Sequence, residues 1–254
     1  MKSKPPAFPK IFAFPAPVFL GLLACLLYLP TLSFEYTQDD AIVLSENVFT
    51  QQGISGIPDL WTHDTFFGFF QEEGKANLVS GGRYRPLTPT LFAILGSLFG
   101  FSPTVGHVFN ILYYGLLTGL IYVFIHRMVS PKKQKGHWAL WETLLFLAHP
   151  IHTEVVCNIK GRDEIIAFAA GLGALLIVWK SRALHRYILS FLLFLIAMFS
   201  KENAAVFLLI APGLLFLKQK RKIAQRVFLA FLLAFMIYFG VRYAVLGQFL
   251  GGDP

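Results

Sequence analysis

The chain has 254 residues, of which 56% are hydrophobic, 16% aromatic and 14% charged, with a formal net charge of +8. A soluble globular domain carries roughly 25% charged residues, so this composition, with a mean hydropathy of +0.60, argues against an ordinary soluble enzyme and for a polytopic membrane protein in a lipid bilayer. The Lys and Arg residues fall in short clusters between apolar runs, a pattern that reports membrane topology, so no nucleic-acid partner is expected.

Residues 1–10 (MKSKPPAFPK) are basic and proline-broken and read as a cytoplasmic start. Ile11 to Leu32 is long enough to span; it is too long, and lacks the cleavage site, for a signal peptide. Pro15 and Pro17 sit near its start, where proline is tolerated. A long acid-rich segment follows, about 33–85, with Glu35, Asp39, Asp40, Glu46, Asp59, Asp64, Glu72 and Glu73. Its apolar residues are too interrupted to span, which predicts short helices lying at the membrane surface. The stretch EEGKANLVSGGR within it has turn composition.

After Arg85-Pro86, LTPTLFAILGSLFGF is apolar but short and predicts an interfacial or re-entrant helix. Val105 to Val129 spans back and ends at a basic cluster. Trp138–Leu147, Ile165–Trp179, Tyr187–Phe199, Ala204–Leu217 and Val227–Leu246 then alternate in direction. The expected architecture is all-α, a helical bundle of about seven spans. With the N-terminus inside, every basic cluster falls on the cytoplasmic side, and the acid-rich loop falls outside. No repeat of fixed period shows. Cys25 and Cys157 offer neither zinc spacing nor a disulfide framework.

The polar groups gather in a few places. Asp39 and Asp40 are adjacent carboxylates, one of which needs a positive partner, a hydrogen-bond network or a raised pKa. They read either as a proton acceptor with a positioning group or as an acidic helix cap. Arg83-Tyr84-Arg85-Pro86 offers a planar fork for phosphate or an interfacial Tyr/Arg anchor. The stretch 148–164, AHPIHTEVVCNIKGRDE, is the densest polar cluster of the chain. His149, His152 and Glu154 suit a metal site, contacts to a substrate, or a structurally satisfied polar pocket. Without a further ligand set no metal is assigned, and a divalent cation has no support. Gly161-Arg162-Asp163-Glu164 opens a span, and Ser200-Lys201-Glu202-Asn203 joins two spans with no long loop. Charges so placed face protein or water. No GxGxxG, Walker loop, GxSxG or HExxH occurs, so nucleotide binding, serine hydrolysis and zincin chemistry lack local support.

Taken together, FEYTQDDAIVLSEN, LWTHDTFFG, YRPLTPTLFAI, GHVFNIL, HPIHTEVVCNIKGRDEII and SKENA resemble the membrane portion of the protein O-mannosyltransferases that carry transmembrane segments and tetratricopeptide repeats. That family belongs to the GT-C glycosyltransferase superfamily. The resemblance runs from about Phe34 to Ala204 and makes 11–254 one GT-C-like transmembrane module. The repeats of the family are not in this sequence, so it resembles an N-terminal fragment or a shortened relative. The resemblance implies a polyprenyl or dolichyl phosphate sugar donor and a hydroxyl acceptor on a secreted or membrane protein. Transfer would proceed with inversion, in a bacterial inner membrane or the endoplasmic reticulum. It implies Asp39 or Asp40 as the base without separating their roles; of the two, Asp40 is favoured. Arg85, with Lys201 or Arg162, would face the lipid phosphate. His149, His152 and Glu154 would orient sugar hydroxyls or support the Asp pair, and Glu164 and Glu202 would belong to the same binding wall. A transporter is the second reading, since intramembrane charges also mark ion and substrate paths. A non-catalytic assembly subunit or fragment is the third.

Overall fold

The computed structural model describes residues 15–72, 75, 82–129, 135–179, 183–218 and 220–248. The basic start at 1–10, most of the turn at 72–83, the centres of the basic clusters after 129 and 179, Gln219 and the tail after 248 lie outside the described residues. Among the described residues the chain is all-α, without a strand.

The long helices are α1 (Ala16–Leu27), α2 (Leu87–Phe99), α3 (Pro103–Phe124), α4 (Lys135–Ala148), α6 (Arg162–Val178), α7 (Leu184–Ser200), α8 (Phe207–Leu217) and α9 (Arg221–Leu246), with a one-turn-and-a-half α5 (His152–Cys157) between α4 and α6. Each starts or stops where the sequence changes character. Ser102 accepts a hydrogen bond from the Val105 N–H at 3.3 Å and caps α3, with Pro103 in its first turn. Two segments, Pro103–Met128 and Arg221–Leu246, are long and apolar enough to cross a membrane; Ala16–Leu27, Leu87–Phe99, Trp138–Ala148, Leu184–Ser200 and Glu202–Leu217 are apolar but shorter. A crossing takes about 20 helical residues.

The helices pack in a chain of neighbours: α1 on α3, α3 on α6, α6 on α7, and α7 and α8 on α9. Gly21 of α1 and Gly115 of α3 let two backbones touch, since a Cβ on Gly21 would sit 2.8 Å from the Gly115 carbonyl oxygen. Small residues at a crossing serve this purpose in apolar surroundings. Farther along, Phe194 of α7 stacks on Phe231 of α9 with centroids 4.1 Å apart.

Short helices at Gln38–Asp40, Val48–Gln51, Ile57–Thr62 and Phe67–Phe70 occupy the long first loop. They are held by buried polar side chains. Asn47 donates to the Ile42 carbonyl at 3.0 Å and to the Thr65 carbonyl at 3.3 Å, and accepts from the Thr50 N–H at 3.1 Å. Asp64 accepts from the Phe66 N–H at 2.7 Å and the Arg83 N–H at 2.5 Å, closing the far end of the loop. Helix α9 anchors that end: Tyr238 donates to the Tyr84 carbonyl at 2.9 Å and Arg242 to the Gly82 carbonyl at 3.0 Å. Tyr84 in turn donates to the Trp61 carbonyl at 2.9 Å, and burial pushes its phenol up to about 12, so it stays a donor. The Arg83–Arg85 segment is therefore clamped between the loop and the bundle.

Candidate functional site

Two charged assemblies meet where the loop docks on the start of α6. In the first, Asp40 lies in a tight turn and is fully buried. One of its oxygens accepts from the Thr37 N–H at 2.9 Å and the Thr37 hydroxyl at 3.0 Å; the other accepts from the Lys160 N–H at 2.7 Å. A carboxylate with three such donors is a fastener between segments far apart in the chain. The Lys160 N–H is presented by a tight turn that Asn158 caps and Gly161 permits, because a Cβ on Gly161 would lie 2.2 Å from the Val155 oxygen. Asp39 differs. Its side chain is 49% exposed, and its one ion pair among the described residues is to the Lys160 ammonium at 2.8 Å.

The second assembly centres on Arg85. Its Nε and Nη2 donate to the two oxygens of Glu202 at 2.7 and 2.5 Å, and Nη1 donates to Asp163 at 3.1 Å. Burial works against the Arg85 charge, but the Glu202 and Asp163 carboxylates outweigh it and hold its pKa above the usual arginine value. For Glu202 burial favours the neutral acid, and the Arg85 guanidinium reverses this, so its pKa lies below the ordinary range. Lys201 pairs with Glu164 and lies 4.0 Å from Asp163. The backbone positions Arg85 as well: its N–H donates to the Thr65 hydroxyl at 2.8 Å.

Beneath both assemblies lies Arg162, fully buried, donating to Asn110 at 2.8 Å and to the Gly106 carbonyl at 2.8 Å, with its guanidinium 4.5 Å from the Phe92 ring centroid. Asn110 donates onward to the Asn158 carbonyl at 2.9 Å. Arg162 thus ties α3 to the turn that carries Lys160, and does not reach the Arg85 group.

Between the assemblies is a small, partly open cavity of about 20 Å³ lined by Thr65, Arg83, Arg85, Thr88, Lys160 and Asp163 with apolar neighbours. A larger apolar groove of about 500 Å³ runs between α2, α3, α6 and α7 and is lined by Leu87, Tyr113, Ile165, Ala169, Gly173 and Leu193 among others. The two adjoin in the chain, Leu87 in the groove beside Thr88 in the cavity and Ile165 near Asp163.

Of the residues singled out in the sequence, the structure brings Asp39, Asp40, Arg85, Glu164, Lys201 and Glu202 to the mouth of α6, with Arg162 below them. His149, His152 and Glu154 lie elsewhere. His149 is exposed and its Nδ1 accepts from the Ile151 N–H at 3.2 Å; His152 packs on Phe146 with centroids 4.2 Å apart; Glu154 is exposed. Burial lowers the His152 pKa and the neighbouring His149 adds to this. The cleft beside His149 is lined by Leu27, Tyr28, Pro30, Thr31 and Phe34. Among the described residues no three His, Cys, Asp or Glu converge as a metal site. Sequence reasoning passed over Lys160, although it stands in the quoted NIKGRDE run, and named Asp163 and Arg83 within their motifs without choosing them as site residues. Asn110 stands in the quoted GHVFNIL run but was given no role.

Comparison with protein-family models finds no match, and no solved structure matches. Curated proteins do. The chain is 32% identical over 143 residues, 56% of its length, to mouse Protein O-mannosyl-transferase TMTC2, covering 16% of that protein. It is 31% identical over 69% of its length to Xenopus laevis tmtc2, covering 20% of it, and 28% identical over 78% of its length to Caenorhabditis elegans F38B6.6, covering 27%. The chain therefore spans well under a third of the length of these relatives. The similarity to these protein O-mannosyl-transferases runs through more than half of the chain in each case.

Proposed function

We propose that the chain is a glycosyltransferase membrane module that moves a sugar, mannose by its relatives' names, from a polyprenyl or dolichyl phosphate to a hydroxyl of a protein acceptor. The observation that carries this is the juxtaposition of one accessible carboxylate, a cavity with cations in its wall, and an apolar groove beside it. In this reading the polyisoprenoid tail lies in the groove and the phosphate sits at the mouth of the cavity. The acceptor oxygen attacks the anomeric carbon, the bond from that carbon to the phosphate oxygen breaks, and its electron pair leaves with the phosphate. The acceptor proton passes to a carboxylate. Asp39 suits that role better than Asp40, because Asp40 is buried and spends both oxygens on Thr37 and Lys160, whereas Asp39 faces solvent. The accompanying topology is a multi-pass module of seven crossings with a cytoplasmic N-terminus. The site would then face the extracytoplasmic or luminal side, in a bacterial inner membrane or the endoplasmic reticulum.

The test is transfer from polyprenyl phosphate mannose to a Ser/Thr peptide by the reconstituted chain. Asp39→Asn should lower turnover by about 10²–10⁴-fold with insertion unchanged, and Asp40→Asn should lower it together with thermal stability. Undiminished transfer by Asp39→Asn removes Asp39 as the base. Solute uptake into vesicles that needs no lipid-linked sugar would favour the transporter reading instead.

A further inference from the structure

The cations nearest the proposed donor are not equally free to meet a phosphate. Arg85 spends three nitrogens on Glu202 and Asp163, and Lys201 is held by Glu164 beside Asp163. That group holds three carboxylates (Asp163, Glu164, Glu202) against two cations (Arg85, Lys201), a formal excess of one negative charge. An incoming phosphate would be repelled there or would have to break bidentate bonds. The opposite side of the cavity differs. The Arg83 guanidinium lies over the Phe66 ring at 5.0 Å, and among the described residues it has no carboxylate ion pair; Asp64 bonds its backbone N–H instead. Among the described residues Lys160 makes one ion pair, to the half-exposed Asp39, and its charge also acts on Asp163. Thr88, 3% exposed, lines the same cavity with a hydroxyl that has no hydrogen-bond partner among the described residues. A buried polar atom left unpaired calls for a partner from elsewhere.

We infer that Arg83 and Lys160, with the Thr88 hydroxyl, form the contact for the donor's phosphate, and that Arg85 and Lys201 are positioning residues that hold the cavity open. This assignment rests on the lipid-phosphate donor reading. It also gives Lys160 a double part. While Asp39 is ionised, Lys160 neutralises it. When Asp39 takes the proton of the acceptor hydroxyl it loses its charge, and the Lys160 ammonium is released as the departing phosphate gains one. The proton, the electron pair and the compensating cation then move in concert around one side chain.

The experiment measures binding of undecaprenyl phosphate and of neutral undecaprenol to the purified, detergent-solubilised chain by native mass spectrometry, and takes the ratio of the two affinities. Because both lipids share the tail, a general folding defect weakens both and leaves the ratio in place. Wild type should prefer the phosphate. Arg83→Gln and Lys160→Gln should each reduce the preference about tenfold, Lys160→Arg should keep most of it, and Lys201→Gln should leave the ratio unchanged. A preference retained in full by both Arg83→Gln and Lys160→Gln overturns the assignment and leaves the donor reading standing. A wild-type chain that does not distinguish the two lipids overturns both.

Discussion

The two halves of the 148–164 stretch look alike in sequence and differ in the structure. The first half, His149 to Glu154, is polar on the outside of a short helix. Its histidines are satisfied by a nearby backbone N–H and an aromatic ring. The second half, Lys160 to Glu164, reaches three remote segments: Asp39 and Asp40 in the first loop, Arg85 at its end, and Lys201 beyond α7. The difference lies in what the turn at Asn158–Gly161 does. It aims a backbone N–H and an ammonium at the loop, and leaves the following acids at the open end of α6.

That contrast can be broken most sharply at Arg85. Arg85→Ala strands Asp163, whose side chain is 6% exposed, and Glu202, whose side chain is 32% exposed. Loss of one partner of a buried ion network costs about 3–5 kcal/mol, and the low end applies because Glu202 is partly wetted. The measurement is the denaturation midpoint in a fixed detergent; a variant as stable as wild type would show that the second half is no better anchored than the first. A smaller effect is expected from pH. The folded pKa of Glu202 is depressed, so its contribution is complete above the unfolded value, about 4.3, and is lost as pH falls through the lower folded value. The gap in melting temperature between wild type and Glu202→Gln should therefore be constant near neutrality and close below about pH 4. The smallest effect belongs to the first half. Glu154→Ala should change stability by no more than about 0.5 kcal/mol and leave the lipid-binding ratio untouched, and a large loss would put that half back into the site.

Much of the fold was legible because apolar runs, prolines and basic clusters act locally. The runs from Ile165 and Tyr187 correspond to α6 and α7, each extended by three residues at the N-terminal end. The short run after Pro86 is the 13-residue α2. The site was legible as a set of residues but not as a set of partners. Nothing around Arg85 announces that its carboxylates lie 78 and 117 residues onward. Asp40 finds a backbone N–H, and any residue type except proline supplies one, so the pairing with Lys160 leaves no mark in composition. The distinction between Asp39 and Asp40 arises from burial, which two adjacent identical letters cannot express.

The span between Arg85 and Glu202 has a consequence for synthesis. At about 5–20 residues per second, the 117 residues that separate them take roughly 6–23 s to translate. Throughout that interval Arg85 exists without its bidentate partner, and the later hydrophobic segments are still being made. Closure of the ion network is thus a late event of biogenesis, and the chamber takes its shape only once α7 and the Lys201–Glu202 turn have arrived. Any ribosome that stops before residue 202 releases a product in which the Asp39–Asp40 turn and its lysine can already meet, while Arg85 lacks its bidentate acid.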